Sequence, residues 1–326
     1  MLVLSERDVR DLLDLDLLVE ALSAAMADLS AGLASMPPRG AAFVPQRRAM
    51  LAAMPAYLPS SRALTAKLVS QFPENHHCPA HQAIICCFDP DSGTPRAVMD
   101  GAYITAARTA AGSVLATRLL ARVGSRAVAV IGTGAQARAH ITAFARQPGV
   151  EVVRIAGRNW AKVETLAAEL RSDGLLIEAA RSIQEAVESA DVVCATTHAD
   201  QPVIAREWVR PGSHINSVGY NRDGRGELEA ALIADALVVV ESRQAALAPP
   251  PSGALELRQA IHEGLITADH IHAEIGELVS GNAKGRTDDT QLTVYKSVGV
   301  AVQDAAAAAL VLAEAERRGA GTSVTI

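Results

Sequence analysis

The spacing of apolar residues changes along this chain and divides it into regions. Over residues 5–33 apolar positions recur at helical intervals, with Ser5 placed as a cap and good helix formers from Glu20 to Ala31. Pro37-Pro38-Arg39-Gly40 breaks that pattern. Short strand-like runs follow at 49–55, 63–71 and 82–89, the last turning through Asp91-Ser92-Gly93 into 95–99. No helical stretch separates them, so they predict an antiparallel sheet. Helical spacing returns over 104–122 and stops at Gly124.

A second regime begins there. Apolar runs at 127–131, 152–156, 190–197, 214–219 and 236–241 suit buried strands, and helix-like stretches lie between them. That alternation predicts a doubly wound parallel sheet. Beyond Ser297 the segment VGVAVQDAAAAALVLAEAERR reads as a closely packing, Ala-rich helix that returns to the N-terminal region, followed by a mobile tail at 319–326. The expected fold is therefore α/β: a Rossmann-type domain over 123–298, and an α+β domain with an antiparallel sheet built from 1–122 and 299–326.

Composition narrows the partners. The chain has 326 residues, enough for two domains with real cores. Aromatic residues make up only 3%, so Ala, Leu, Val and Ile must build those cores. A net charge of -6 leaves no basic footprint and argues against nucleic acid. No apolar run reaches the roughly 18 residues of a membrane span, and the N-terminus lacks the basic and apolar regions of a signal peptide. The expected location is the cytoplasm, with no membrane partner. The four cysteines include no CxxC, and the histidines lack a fixed carboxylate partner, so no metal site is expected.

The most informative stretch is RAVAVIGTGAQARAH, residues 126–140. A strand-like run ends in Gly132-Thr133-Gly134-Ala135-Gln136-Ala137 and a helix pattern follows, which is the turn that cradles a dinucleotide pyrophosphate. Gly132 permits the tight turn, Gly134 lets backbone approach the phosphates, and Ala137 lets helix pack on strand. The helix N-terminus then offers free N–H groups to the anion. The next strand ends in Gly157-Arg158-Asn159, with Gly157 in the slot where an NAD-binding unit usually carries an acid for the ribose 2′-OH. Without that acid, and with Arg158 to pair a 2′-phosphate, the expected cofactor is NADPH, with NADH as the alternative.

Several separated segments resemble the ornithine cyclodeaminase and mu-crystallin family: LTAKLVSQFPEN, GAYITAARTAAGS, VAVIGTGAQARAH, HINSVGYN with GELEAALIADA, and YKSVGVAVQDAAAA. They stand in the family's order over about residues 5–315. The resemblance implies a homodimer, with the N-terminal domain and last helix forming the substrate and dimerisation half. It assigns substrate binding to Arg39, Lys67, Arg108 and Val298. Cofactor contacts fall to Arg108, Thr109, Gly132, Gly134, Ala135, Gln136, Arg158, Asn159, Thr196, Val218, Gly219 and Ser297. Physical reasoning agrees for Lys67, because an ammonium inside the apolar run 64–69 must be paired or face a pocket. Lys296, before Ser297, stands where some members carry an acid, and reads as either an anion partner or a surface lysine.

One departure separates activities within the family. Cyclodeaminases carry an Asp after the Gly that ends the fifth strand, whereas this chain reads Ser217-Val218-Gly219-Tyr220-Asn221. Asn221 cannot act as a general base, which disfavours cyclodeamination unless Asp223 substitutes. Reducing a cyclic imine asks less: hold the carboxylate, orient the nitrogen through Lys67 or Asn221, and place C2 about 3–3.5 Å from the hydride donor. The expected catalytic residues are thus Lys67, Arg108 and Asn221, with Tyr220 as a weaker candidate proton donor. The small Gly219 suits a compact ring. The expected activity is NAD(P)H-dependent reduction of Δ1-pyrroline-2-carboxylate to L-proline, or of Δ1-piperideine-2-carboxylate to L-pipecolate. The alternatives are an ornithine cyclodeaminase, an alanine-type dehydrogenase, and a non-catalytic NADPH- or small-ligand-binding protein.

Overall fold

The computed structural model describes every residue except 172–174, 220–225, 250–251 and 326. It falls into two compact units, Met1–Arg108 with Gly299–Ile326, and Thr109–Val298. The helix Ala102–Leu120 runs through the dividing point, where the sequence reading put the boundary after Arg122.

The first unit is built on β1 (Leu2–Leu4), β2 (Gly40–Val44), β3 (Ala49–Leu58), β4 (Ala63–Gln71), β5 (His81–Phe88) and β6 (Pro95–Asp100). With the terminal strand Thr322–Ser323 they form one sheet in the order terminal strand, β1, β6, β5, β4, β3, β2. From β6 to β2 every neighbour is antiparallel, as the lack of intervening helices predicts. The sheet as a whole is mixed, because β1 joins β6 in parallel. Three residues are too few to show a period of two, so β1 left no trace in the pattern. The tail read as mobile is tied instead: Leu2 and Val3 pair with Ser323 and Thr322.

Alternation sets the two faces of this sheet. Ala63, Thr65, Lys67 and Val69 of β4 are buried, as are Ala52, Met54, Ala56 and Leu58 of β3. The helix Ala301–Arg318 packs on these strands and on the helix Leu15–Ser30. Its buried residues Ala301, Ala305, Ala306, Ala307 and Ala308 are small enough for close approach to the sheet. The opposite face presents Leu51 and Ile84, which are 48% and 44% exposed. The N-terminal helix predicted as one is two, Glu6–Leu12 and Leu15–Ser30. Asp14 splits it, its carboxylate accepting the amides of Asp16 and Leu17 at 2.8 and 3.0 Å as an N-cap.

The second unit carries β7 (Ala127–Ile131), β8 (Val152–Ala156), β9 (Leu176–Ala179), β10 (Val192–Ala195), β11 (His214–Ser217), β12 (Leu237–Val240), β13 (Ile271–Glu274) and β14 (Thr293–Lys296). All pairings are parallel, in the order β13, β12, β14, β11, β10, β7, β8, β9. Ala129, Ile131, Val193, Ile215, Val238 and Val294 are among the residues of its core, the near-continuous apolar content expected of a sheet covered on both faces. The order reverses between β7 and β10, and a ligand crevice opens beyond the C-terminal ends of strands at such a point. Among the described residues no helix is long and apolar enough to cross a membrane.

Candidate functional site

In the first unit, Lys67 occupies a core position of β4 because residue parity turns it inward with Thr65 and Val69. It is 2% exposed. Its ammonium lies 2.7 Å from Oδ2 of Asp304, in the first turn of the helix Ala301–Arg318, and donates to Thr105 Oγ1 at 3.4 Å. Asp304 Oδ1 also takes Arg108 Nε at 3.1 Å, while Arg108 Nη1 donates to Gln303 Oε1 at 3.1 Å. Gly299 makes room for that guanidinium: a Cβ there would meet Arg108 Nη2 at 2.9 Å. Half-buried Arg39 donates to the Gly299 carbonyl at 2.8 Å. The structure thus gathers Lys67 and Arg108 around Asp304, with Arg39 bonded to the Gly299 carbonyl.

Electrostatics follow from this crowding. Burial brings the Lys67 pKa down to about 8, against the pull of Asp304, with Arg108 and Arg39 pushing it further down. Burial by itself would raise the Asp304 pKa, but Lys67 and Arg108 reverse that and hold the carboxyl below its ordinary value. His81, on β5, is brought to about 4 by burial and by the same two cations. Its imidazole is therefore neutral at pH 7. Among the described residues, two buried cations share one carboxylate here, which leaves a positive charge for an anionic ligand to match.

In the second unit, Gly132 has φ +131° and its N–H donates to the Ala156 carbonyl at 2.8 Å. A Cβ at this position would lie 2.6 Å from Thr196 Oγ1, so only glycine lets the turn after β7 approach the loop after β10. Thr196 is buried and donates its hydroxyl to the Ile131 carbonyl at 2.8 Å. Gly134 caps the helix Ala135–Phe144, and the space beside its α-carbon is open. Gln136 Oε1 is buried and has no hydrogen-bond partner among the described residues. An open approach to a helix N-terminus beside an unsatisfied acceptor fits a polar nucleotide with hydroxyl donors. Gly132, Gly134, Ala135 and Gln136 are therefore placed to hold a dinucleotide. Arg158 is exposed at the end of β8, and Asn159 caps the following helix by accepting the Lys162 amide at 3.1 Å.

Other expected positions also resolve. Val218 donates its N–H to Ala195 O at 3.0 Å. Ser297 Oγ and the Val298 amide both donate to the Glu241 carboxylate at 2.7 Å. Thr109 is buried in the helix Ala102–Leu120. Lys296 is neither a surface lysine nor free for an anion. It is 2% exposed and donates to Glu256 Oε1, Ser217 Oγ and the Gly219 carbonyl at 3.1, 3.1 and 3.0 Å. Tyr220, Asn221 and Asp223 lie outside the described residues.

Asp304, Gln303 and His81 were not picked out from the sequence. The signal for Asp304 was present: a lone acid in a run of alanines and valines has to be buried, and a buried carboxylate needs cations.

Comparison with known proteins bears on the family and the fold. A profile of the ornithine cyclodeaminase/mu-crystallin family matches residues 1–319. The ketimine reductase mu-crystallin of Mus musculus is 40% identical over 315 residues, covering 94% of this chain and 95% of its own. The structure of Thermococcus litoralis Δ1-pyrroline-2-carboxylate reductase in complex with NADH and L-proline superposes with a TM-score of 0.94 at 36% identity, covering 99% of this chain and all of that one. An archaeal alanine dehydrogenase dimer with bound NAD gives 0.92 at 30% identity, covering 100% and 99%. Fold, motifs and relatives coincide over nearly the whole length, and the chain belongs to the ornithine cyclodeaminase/mu-crystallin family.

Proposed function

We propose that this protein is an NAD(P)H-dependent reductase of cyclic ketimine carboxylates, with Δ1-pyrroline-2-carboxylate as substrate and L-proline as product. The observation that carries the reading is the buried cluster in which Lys67 and Arg108 share the single carboxylate of Asp304. A protein that only stored a nucleotide has no use for buried cations without matching anions. A ketimine carboxylate brings the missing charge, and Arg108 can hold it through a charge-assisted, two-pronged contact. Relatives named as ketimine and pyrroline-carboxylate reductases support the same class of chemistry.

When bound, the nicotinamide cofactor supplies a hydride for the substrate C2. The chain's own work is to bind, orient and protonate. Arg39 and Arg108 hold the substrate carboxylate. Lys67, kept charged by Asp304 up to about pH 8, donates a hydrogen bond to the lone pair of the neutral imine nitrogen and gives up that proton to it as C2 is reduced, leaving the secondary amine and a neutral lysine that regains a proton from solvent. Exposed Arg158 pairs the 2′-phosphate, which makes NADPH the preferred cofactor. The protein works in the cytoplasm as a homodimer, and the open face of the first sheet around Leu51 and Ile84 is the surface it buries.

The test is oxidation of NADPH and NADH followed by absorbance, with Δ1-pyrroline-2-carboxylate as substrate. Rapid NADPH oxidation with formation of L-proline is the expected result. No oxidation with either cofactor would remove the reading, and ammonia release from ornithine with catalytic NAD would replace it by cyclodeamination.

A further inference from the structure

The second unit buries Glu227 and Glu256, two carboxylates that the proposed chemistry does not use. Both are at least 98% buried, at 2% and 1% exposure. Glu227 reaches two separate loops. Its Oε1 accepts the Thr197 amide at 2.5 Å, just past the end of β10, and its Oε2 accepts the Gly219 amide at 2.7 Å, just past the end of β11. Glu256 supports it from below, its Oε1 accepting the Glu227 amide at 2.9 Å and the Lys296 ammonium at 3.1 Å.

Two glycines exist to admit these carboxylates. A Cβ on Gly219 would lie 2.2 Å from Glu227 Cδ and 2.3 Å from the Thr197 carbonyl oxygen. A Cβ on Gly226 would lie 2.3 Å from Glu256 Cδ, and Gly226 has φ +88° besides. The missing side chain of Gly219 is therefore filled from within by Glu227. Desolvation raises the Glu227 pKa, and Lys296 works against it.

The position of the two stapled loops gives the cluster a purpose. A doubly wound sheet binds its dinucleotide in two halves. The half with β7 and β8 takes the adenosine side, where Gly157 and Arg158 stand. The half with β10, β11 and β14 takes the nicotinamide side. Thr197 and Gly219 lie at the C-terminal ends of strands in that second half. We propose that Glu227 is a positioning residue that holds Thr197 and Gly219, just past the ends of β10 and β11, together as the seat of the nicotinamide half of the cofactor. This rests on the reading of the protein as a nicotinamide-dependent reductase. Only a carboxylate can do this work: its two oxygens accept both amides, whereas a Gln side chain would turn an NH2 donor toward one of them.

The test is the E227Q variant, with binding of NADPH and of 2′-phospho-ADP-ribose measured by calorimetry alongside the wild type. The second ligand keeps the adenosine half and pyrophosphate but lacks nicotinamide. E227Q is expected to weaken NADPH binding about tenfold, the loss of one buried hydrogen bond and its desolvation cost, and to leave 2′-phospho-ADP-ribose within about twofold. Equal weakening of both ligands, or no change in either, would overturn the proposal. If E227Q fails to fold, hydrogen exchange on the wild type needs no variant: NADPH must slow the Thr197 and Gly219 amides where 2′-phospho-ADP-ribose does not, and equal slowing overturns the proposal. A wild type that binds NADPH but reduces no imine refutes the substrate and leaves the seat standing. A wild type that binds neither ligand refutes both.

Discussion

Replacing Asp304 by Asn keeps the shape at the centre of the cationic cluster and removes the carboxylate that Lys67 and Arg108 share. Lys67 at 2.7 Å and Arg108 at 3.1 Å both lose their counter-charge. Breaking a buried pair from one side costs about 3–5 kcal/mol. Lys67 has an escape, because its pKa is already about 8 and it can shed its proton. Each pH unit below that value adds about 1.4 kcal/mol to the cost of shedding it. The folded pKa lies below the 10.5 of a free lysine, so between those values the folded chain binds fewer protons than the unfolded one and stability rises with pH. In D304N the folded pKa drops further and this rise begins at lower pH. The stability deficit of D304N is therefore largest near pH 6 and shrinks toward pH 9, with a difference of about 1–3 kcal/mol between the two. Urea unfolding of both proteins at pH 6, 7, 8 and 9 measures it. The reductase activity follows the same group: wild-type kcat/KM declines as pH rises through about 8, and the D304N limb lies at lower pH. A deficit constant within about 0.5 kcal/mol from pH 6 to 9 would refute the pairing of Lys67 with Asp304 as the source of the effect.

Three further outcomes are expected. Gly299→Ala forces a Cβ toward the Arg108 guanidinium at φ +75°, which costs about 1–2 kcal/mol and raises the KM for the imino acid more than that for cofactor, as steady-state kinetics will show. Arg158→Ala, at an exposed position, leaves stability within about 0.5 kcal/mol and lowers the NADPH-over-NADH preference about tenfold; an unchanged ratio of kcat/KM values places the 2′-phosphate contact elsewhere. Leu51→Asp with Ile84→Asp puts charge on the open face of the first sheet and yields monomers in sedimentation, unless that face is not the dimer contact.

Legibility in the sequence tracked how local each cause was. The strand, turn and helix around Gly132 were readable because the apolar run, the glycines and the helix all lie within a few residues. β4 was readable by its length, and Lys67 stood out as a charge within it. β14 was hidden because Thr293-Val294-Tyr295-Lys296 looks half polar, although all four are buried. Its polarity is absorbed by groups far away in sequence, such as Glu256 for Lys296. The same holds for Asp304, whose partners are Lys67 and Arg108. A buried charge advertises that it needs a partner, but the partner's identity is a matter of tertiary packing. β9 and β13 are short edge-side strands whose four residues carry little periodic signal. The split of the first helix turned on one residue, Asp14, whose cap competes with helix continuation.

The discontinuity of the first unit bears on how the chain is made. Translation delivers Met1–Arg108 first, then the whole of Thr109–Val298, and only last the helix carrying Asp304. The nucleotide-binding unit is complete as soon as Val298 leaves the ribosome tunnel. The earlier-born unit waits, with Lys67 and Arg108 lacking their carboxylate and β3 and β4 lacking the helix that covers them. Folding order is thus expected to run opposite to birth order in the two units. Nascent chains stalled with Val298 just outside the tunnel and the helix Ala301–Arg318 still inside it should resist protease over Thr109–Val298 and be cut within Met1–Arg108, and protection of the latter should arrive only when that helix emerges.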